Sequence, residues 1–501
     1  MIGFVWRALV AGLFALLLAT PAAATWRKAE SANFIVYSQA AEAKVREQAA
    51  LLEDYHSFLR LLTGVTDPPA PNKLRVYLMR SRAHLKLVRD VPAGVMGFYT
   101  ASPSGIAAFV DDRGGAWGSD SDEILFHEIA HHYMMQYRPM AYPAWFVEGF
   151  AEYVMTAKFK EKTIDFGVPS ANRAYWLRSA RWLPWERVLF ERSGGSPEER
   201  SLFYAQSWLI AHYMMRDEAR RQKFKAYIQA VNRGTPPRDA FTAQFGELKA
   251  FGRLIEGYAA RQMTYSRLTR ASAAATPEIR IETLPPSAEH LLPMEAALYT
   301  GQREEYARAL LPKVRAEAAR HAGDAYAKRV LATAEVLHGD AAKGEAALDE
   351  LLKSSPNDAE LLYLKGMRHL LAGRADGSKK AEQFKLARPW FVRAHKADPN
   401  HWQTLARYGE SLSTESRFES ESTLNVLLKA QELAPQVAEL TMNAANLLLI
   451  RGHHEDAEAL VLPLASHPHN AELAAAAQAL LERARNGRKT ASPAGARPAG
   501  E

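Results

Sequence analysis

The chain has 501 residues, with 63 basic and 56 acidic side chains for a net charge of +7, and it contains no cysteine. That length is a prior for about three domains, and the near balance of charge, with no basic stripe or tail, argues against a nucleic-acid binder. Without cysteine there are no disulfides, thiolate ligands, cysteine nucleophile or lipidated N-terminal cysteine, so any metal must be held by His and carboxylate.

The first 24 residues read as a signal peptide: Arg7 supplies positive charge, residues 8–20 are apolar but too short for an ordinary spanning helix, and Pro21-Ala22-Ala23-Ala24 offers a small-residue cleavage site. Cleavage after Ala24 leaves an exported chain with no stable membrane span, periplasmic if the source is a Gram-negative bacterium. An uncleaved N-terminal membrane anchor is the alternative. Residues 33–38 and 73–79 read as strands, 40–62 as an amphipathic helix, and 97–100 with 106–110 as a hairpin around Ser102-Pro103-Ser104-Gly105. The hairpin is either an ordinary core element or an exposed sheet edge able to pair with an extended peptide.

A helix is then expected from a capping signal at Ser119-Asp120-Ser121-Asp122 to about Tyr137, where Pro139 disfavours helical geometry at Arg138. It carries His127-Glu128-Ile129-Ala130-His131. Residues four apart share a helix face, so His127 and His131 can hold one zinc ion while Glu128 sits beside it to activate water. A catalytic zinc takes a third protein ligand and leaves a fourth position open, and a carboxylate-rich helix follows in Trp145-Phe146-Val147-Glu148-Gly149-Phe150-Ala151-Glu152-Tyr153. If the two helices pack antiparallel, Glu148 returns toward both histidines. The bland reading is a helix whose histidines cap a core or pair with acids. His132 faces about 100° away from His131 and reads as a packing or hydrogen-bonding residue. The aromatic cluster Tyr175, Trp176, Trp182 and Trp185 reads as core rather than substrate groove.

Helical sequence dominates residues 207–270, and residues 271–288 read as a linker rich in Ala, Ser and Pro. Beyond it, Pro356, Pro399, Pro435 and Pro468 recur in similar turn settings at spacings of 43, 36 and 33. This resembles a tetratricopeptide-repeat array over residues 289–485, with degenerate early repeats and an insertion in the second unit. A plain helical bundle is the alternative. Residues 486–501 read as a disordered tail.

The paired motifs, His127-Glu128-Ile129-Ala130-His131 and the W-x-x-E-G-x-A-E-Y run from Trp145 to Tyr153, resemble those of gluzincin metallopeptidases, and more narrowly the bacterial peptidase-MA-like proteins. Tyr204-Ala205-Gln206-Ser207-Trp208 is similar to a further element of that group, and the resemblance covers about residues 26–265. It implies an α+β, thermolysin-like zinc peptidase domain over residues 25–270, followed by the all-α repeat solenoid. It also implies Zn2+ on His127, His131 and Glu148, with Glu128 as general base. Glu152, one turn after Glu148, is expected to orient a ligand imidazole, with the role of third ligand as its alternative. The resemblance further implies an oxyanion partner from a later helix, Tyr204 or, in competition, His212.

The function these readings imply is an exported zinc metallopeptidase, an endopeptidase acting on protein or peptide substrates, with a protein partner at the repeats. The alternative is a repeat scaffold or envelope-assembly protein whose peptidase-like domain binds metal with little or no proteolysis.

Overall fold

The computed structural model describes residues 25–91, 95–112, 121–191, 194–270, 276–301, 303–467 and 470–491. The expected signal peptide and the Ser119-Asp120 cap lie outside these residues. A six-stranded mixed sheet organises the N-terminal domain, in the order β4-β5-β3-β2-β1-β9. Its strands are β1 (Arg27–Glu30), β2 (Phe34–Ser38), β3 (Leu74–Met79), β4 (Gly97–Ala101), β5 (Ile106–Asp111) and β9 (Arg280–Thr283). β2, β3 and β5 run parallel, and β4, β1 and β9 pair antiparallel with their neighbours.

Successive strand residues face opposite sides of the sheet, and both sides are apolar. Val76, Leu78, Ala108 and Val110 face a core shared with helices α1 (Glu42–Thr63) and α3 (Ser121–Tyr137). Tyr77, Met79, Ala107 and Phe109 face a second core, closed by α2 (Arg82–Val88) and α11 (Ala288–Tyr299). Tyr55 fastens α1 to α3: its ring stacks on Phe126 at 4.0 Å between centroids, and its hydroxyl donates to the Phe126 carbonyl at 2.9 Å.

After α3 come α4 (Ala144–Val154), β6 (Lys158–Phe159), β7 (Thr163–Phe166), α5 (Ala171–Ser179), α6 (Trp185–Phe190) and α7 (Pro197–Met215). Then follow α8 (Glu218–Asn232), α9 (Pro237–Phe245), α10 (Leu248–Ala259) and β8 (Ser266–Thr269), which joins β6 and β7 in a three-stranded sheet. The helical stretch expected from Ser207 therefore starts a full ten residues earlier, at Pro197, behind a Ser196–Glu199 capping box, and ends in a strand.

Part of the segment expected to be a linker is a strand instead. Arg280–Thr283 adds β9 to the edge of the main sheet, and Arg280 pairs with Glu30 at 2.9 Å. Its flanking prolines bracket a strand, as prolines are tolerated at strand ends and edges.

The C-terminal region is a helical repeat array. From α11 it proceeds through α12 (Glu304–Arg320), α13 (Ala325–His338), α14 (Ala341–Ser354), α15 (Ala359–Ala375), α16 (Lys380–Ala397) and α17 (Trp402–Ser411). It ends with α18 (Glu421–Leu433), α19 (Ala438–Ile450), α20 (His454–Ala465) and α21 (Ala471–Ala491). The turns that punctuate the sequence cap these helices: Asp358 accepts from the Leu361 amide at 3.1 Å, and Asp324, Asp340 and Ser420 do the same for α13, α14 and α18. Helix persists through residues 486–491, where a disordered tail was expected, and Arg488 there pairs with Glu458 of α20 at 3.2 Å; residues 492–501 lie outside the described set.

The array is not a separate body. Trp402, Leu405, Leu433, Val437 and Leu440 belong to the same apolar core as Ile129 of α3. Asn72 donates to the Leu433 carbonyl at 3.2 Å and Gln403 to the Ser104 carbonyl at 3.3 Å. Among the described residues, no helix is long and apolar enough to cross a membrane.

Candidate metal centre

Helix α3 buries Leu125, Phe126, Ile129, Ala130 and Tyr133. Its remaining face, carrying His127, Glu128 and His131, turns toward α4 and a cleft. The two helices run antiparallel: His127 lies beside Glu152 and His131 beside Glu148. Gly149 sets how closely α7 approaches α4. A Cβ there would sit 2.3 Å from the Ser207 carbonyl oxygen, so only glycine admits α7 at this distance. That approach brings Tyr204, one turn before Ser207, to the site, with its ring centroid 6.4 Å from that of His127.

His127, His131 and Glu148 each offer one ligand atom within 4.8 Å of the others, the one such cluster among the described residues. His127 Nε2 lies 3.0 Å from His131 Nε2 and 3.4 Å from Glu148 Oε2, which is 3.7 Å from His131 Nε2. Tetrahedral zinc with bonds of about 2.0–2.2 Å separates its ligand atoms by roughly 3.3–3.5 Å. The three edges bracket that value, and two imidazoles with a carboxylate form the donor set of catalytic zinc sites. The site residues fit the ion.

Glu152 sits on the other side of the His127 ring, 3.5 Å from Nδ1. It thus meets the ring nitrogen opposite the Nε2 that faces His131 and Glu148. Arg173 of α5 holds it in a bidentate grip, Nε to Oε2 at 2.8 Å and Nη2 to Oε1 at 2.6 Å. Sequence reading missed Arg173. Its signal was indirect: a buried carboxylate this close to another needs a cation, and Arg173 opens the helix that Ser170 caps.

Burial opposes charge on His127, but the hydrogen bond to Glu148 and the fields of Glu152, Glu148 and Glu128 outweigh it and raise its pKa to about 9. Such a carboxylate-rich pocket attracts a cation. The charge of Glu148, with burial, pushes the Tyr204 phenol far above its ordinary value, against the opposing Arg173, whose guanidinium lies 5.1 Å from the ring centroid. Tyr204 is therefore a protonated hydrogen-bond donor.

His212, the competing oxyanion candidate, lies elsewhere. It is fully buried, Tyr258 Oη is 2.8 Å from its Nδ1 and the Thr264 carbonyl 3.0 Å from its Nε2, and burial lowers its pKa to about 4. His132 points to Tyr99, whose hydroxyl is 3.1 Å from Nδ1. Trp176, Trp182 and Trp185 are half-buried against the main core, while Tyr175 is 52% exposed, so the aromatic cluster is only partly core; none of the four lines the cleft.

The cleft has a volume of about 540 Å3 and contains His127, Glu128, His131, Glu148 and Tyr204 in its lining. Strand β4, last in the sheet order, runs along it with Tyr99, Thr100 and Ala101.

No family model matches the chain, and no curated protein matches it. Among solved structures it is similar to "MamA MSR-1 C2", with 20% identity and a TM-score of 0.23 over 36% of this chain and 88% of that one. It is also similar to "MamA RS-1 ArsTM double mutant", with 19% identity and a TM-score of 0.26 over 40% of this chain and 98% of that one. Scores this low carry no argument, and the helical array rests on the packing described above.

Proposed function

We propose that this chain is a zinc-dependent peptidase of gluzincin type, with a thermolysin-like catalytic domain and a tetratricopeptide array, acting on exported or envelope polypeptides as an endopeptidase. The observation that carries the proposal is the convergence of His127, His131 and Glu148 at zinc-ligand spacing beside Glu128, in a cleft bordered by a sheet edge. When bound, zinc supplies Lewis acidity toward a scissile carbonyl and acidifies a water. Glu128 accepts the proton of the attacking water and returns it to the leaving amine. Tyr204, kept protonated, donates a hydrogen bond to the developing oxyanion. Arg173 and Glu152 fix the ring of His127.

A second reading is favoured by the array, which occupies residues 288–491 and offers a large surface for a protein partner. In it, the protein is a repeat scaffold whose peptidase-like domain binds metal with little or no hydrolysis.

One comparison separates them. The chain from residue 25 and its Glu128→Gln variant should each carry about one zinc by elemental analysis. The unsubstituted protein should cleave an unfolded protein in a chelator-sensitive way, and the variant should be slower by about 10²–10⁴-fold. Equal rates defeat the mechanism, absence of zinc from both defeats the site, and zinc in both without cleavage favours the scaffold.

A further inference from the structure

The cleft above the metal centre has a far wall that comes from the other end of the chain. Beside β4 and α3, its lining includes Pro435, Gln436 and Ala438 at the start of α19, Leu464 and Ser466 at the end of α20, and Leu473 of α21. This wall is anchored. The Gln436 amide donates to Gln136 Oε1 on α3 and lies 3.4 Å from His132 Nδ1, next to the ligand His131. Leu433, Ala434 and Val437 around it share the domain's main core.

We propose that the last three helices of the array are a substrate-selecting wall of the cleft, which admits only an extended, unfolded polypeptide segment threaded between β4 and α19–α21. The proposal rests on the peptidase reading and names the form of its substrate.

Three observations point to that occupant. Strand β4 has no neighbour on its outer side among the described residues, so the outward amides and carbonyls of its edge can pair with an added strand. Much of the cleft lining is apolar, with Met134, Met135, Met140, Val147, Leu464 and Leu473, as suits side chains that a folded protein keeps inside. Finally, about 540 Å3 lies within the roughly 300–1,000 Å3 of pockets that enclose small ligands. A folded domain of 100 residues, with a radius of gyration of about 13 Å, is far larger than a cleft of this volume.

The absence of cysteine gives a direct test, because Ser466→Cys introduces a unique thiol into the wall by a near-isosteric change. Alkylating it in the full chain with a bulky polyethylene-glycol maleimide should slow cleavage of an unfolded fluorescent protein at least tenfold relative to the same variant unlabelled, with zinc content unchanged. Labelling Lys353→Cys, exposed on α14 and outside the cleft lining, should change nothing. Leu473→Arg, which places a charge in the same wall without a label, should slow cleavage in parallel. The unsubstituted enzyme should also cleave an unfolded protein at least 100-fold faster than its native form.

Equal rates before and after labelling of Ser466→Cys, or equal rates on native and unfolded substrate, overturn the wall and leave the peptidase standing. The same label in the Glu128→Gln background should abolish binding of an unfolded fluorescent peptide, read by anisotropy. If the enzyme does not cleave but this binding is present and label-sensitive, the wall stands and the peptidase reading falls. With neither cleavage nor binding, both fall.

Discussion

In the N-terminal domain, Glu148 and Glu152 are almost inaccessible and converge in one cluster with His127 and His131 of α3 and Arg173 of α5, the helices on either side of theirs in sequence. In the array, Arg315 holds Glu335, Lys365 holds Glu345, and Arg374 holds Glu410, each pair joining a helix to the next or the next but one. The apolar cores divide the same way. The larger of the domain's two clusters gathers residues from Ala29 to Leu440, whereas the array has several small ones built from adjacent helices. A charge change in the array should therefore be felt within a repeat, and one in the domain should be felt at the His127–His131–Glu148 cluster.

The sharpest way to break that comparison is Arg173→Met. Removing the guanidinium leaves Glu152 buried against His127 without the bidentate grip that fixes it. Loss of a direct outer partner of a ligand imidazole typically weakens metal affinity 10–100-fold; Arg173 acts one step further out, through Glu152, so a weakening of up to about tenfold is expected in a competitive zinc titration, with Arg173→Lys recovering part of it. An unchanged affinity would mean that His127 is held by its ring packing alone.

The contrast also explains what could be read from the residues. His127, Glu128 and His131 form a local pattern on one helix, and Glu148 lies on the next helix, so a 3.6-residue period and one turn suffice to assemble them. The array's Asp and Ser caps are equally local. Arg173 was hidden because nothing in its own neighbourhood marks it; only the buried carboxylate it meets does. The strand at Arg280–Thr283 was hidden by its prolines, and its pairing with β1 spans the whole domain. Gln436 and Ser466 face the cleft only because a long array curves back onto α3, which no local pattern encodes.

A second break point is acid. Burial lowers His56 of α1 to about 4, against the raising field of Glu53, and lowers His212 of α7 likewise to about 4. Unfolded, both titrate near 6.5, so between about pH 6.5 and 4 the unfolded chain binds protons that the folded domain refuses. Stability from these two groups is thus complete above pH 6.5 and falls as the pH is lowered, by up to about 3 kcal/mol each. The array depends on carboxylates shifted the other way. Despite burial, Glu345 is lowered by Lys365, Glu410 by Arg374 and Arg407, and Glu360 to about 2 by His401. Their contribution is present above about pH 4.5 and is lost only below it. Hydrogen exchange at pH 5 should therefore show α1 and α7 opening while α14, α15 and α17 keep the protection they have at pH 7. The reverse order would remove the distinction between the two regions.

The smallest effect is expected where the array's locality is tested by itself. Arg374 of α15 makes two bonds to Glu410 of α17, at 2.7 and 2.6 Å, but it is partly solvated, and Glu410 keeps Arg407 at 3.0 Å when Arg374 is lost. Partly exposed pairs of this kind contribute about 0.2–1 kcal/mol after solvent screening, so Arg374→Met should shift the unfolding free energy by no more than that. The loss should appear as faster amide exchange in α15–α17 alone, since each repeat leans mainly on its neighbours. Helix α17 also carries Trp402 and Leu405, which pack into the main core shared with α3. Faster exchange in α3, or weaker zinc binding, would show that the array transmits strain to the metal centre, and the two regions would then have to be treated as one cooperative unit.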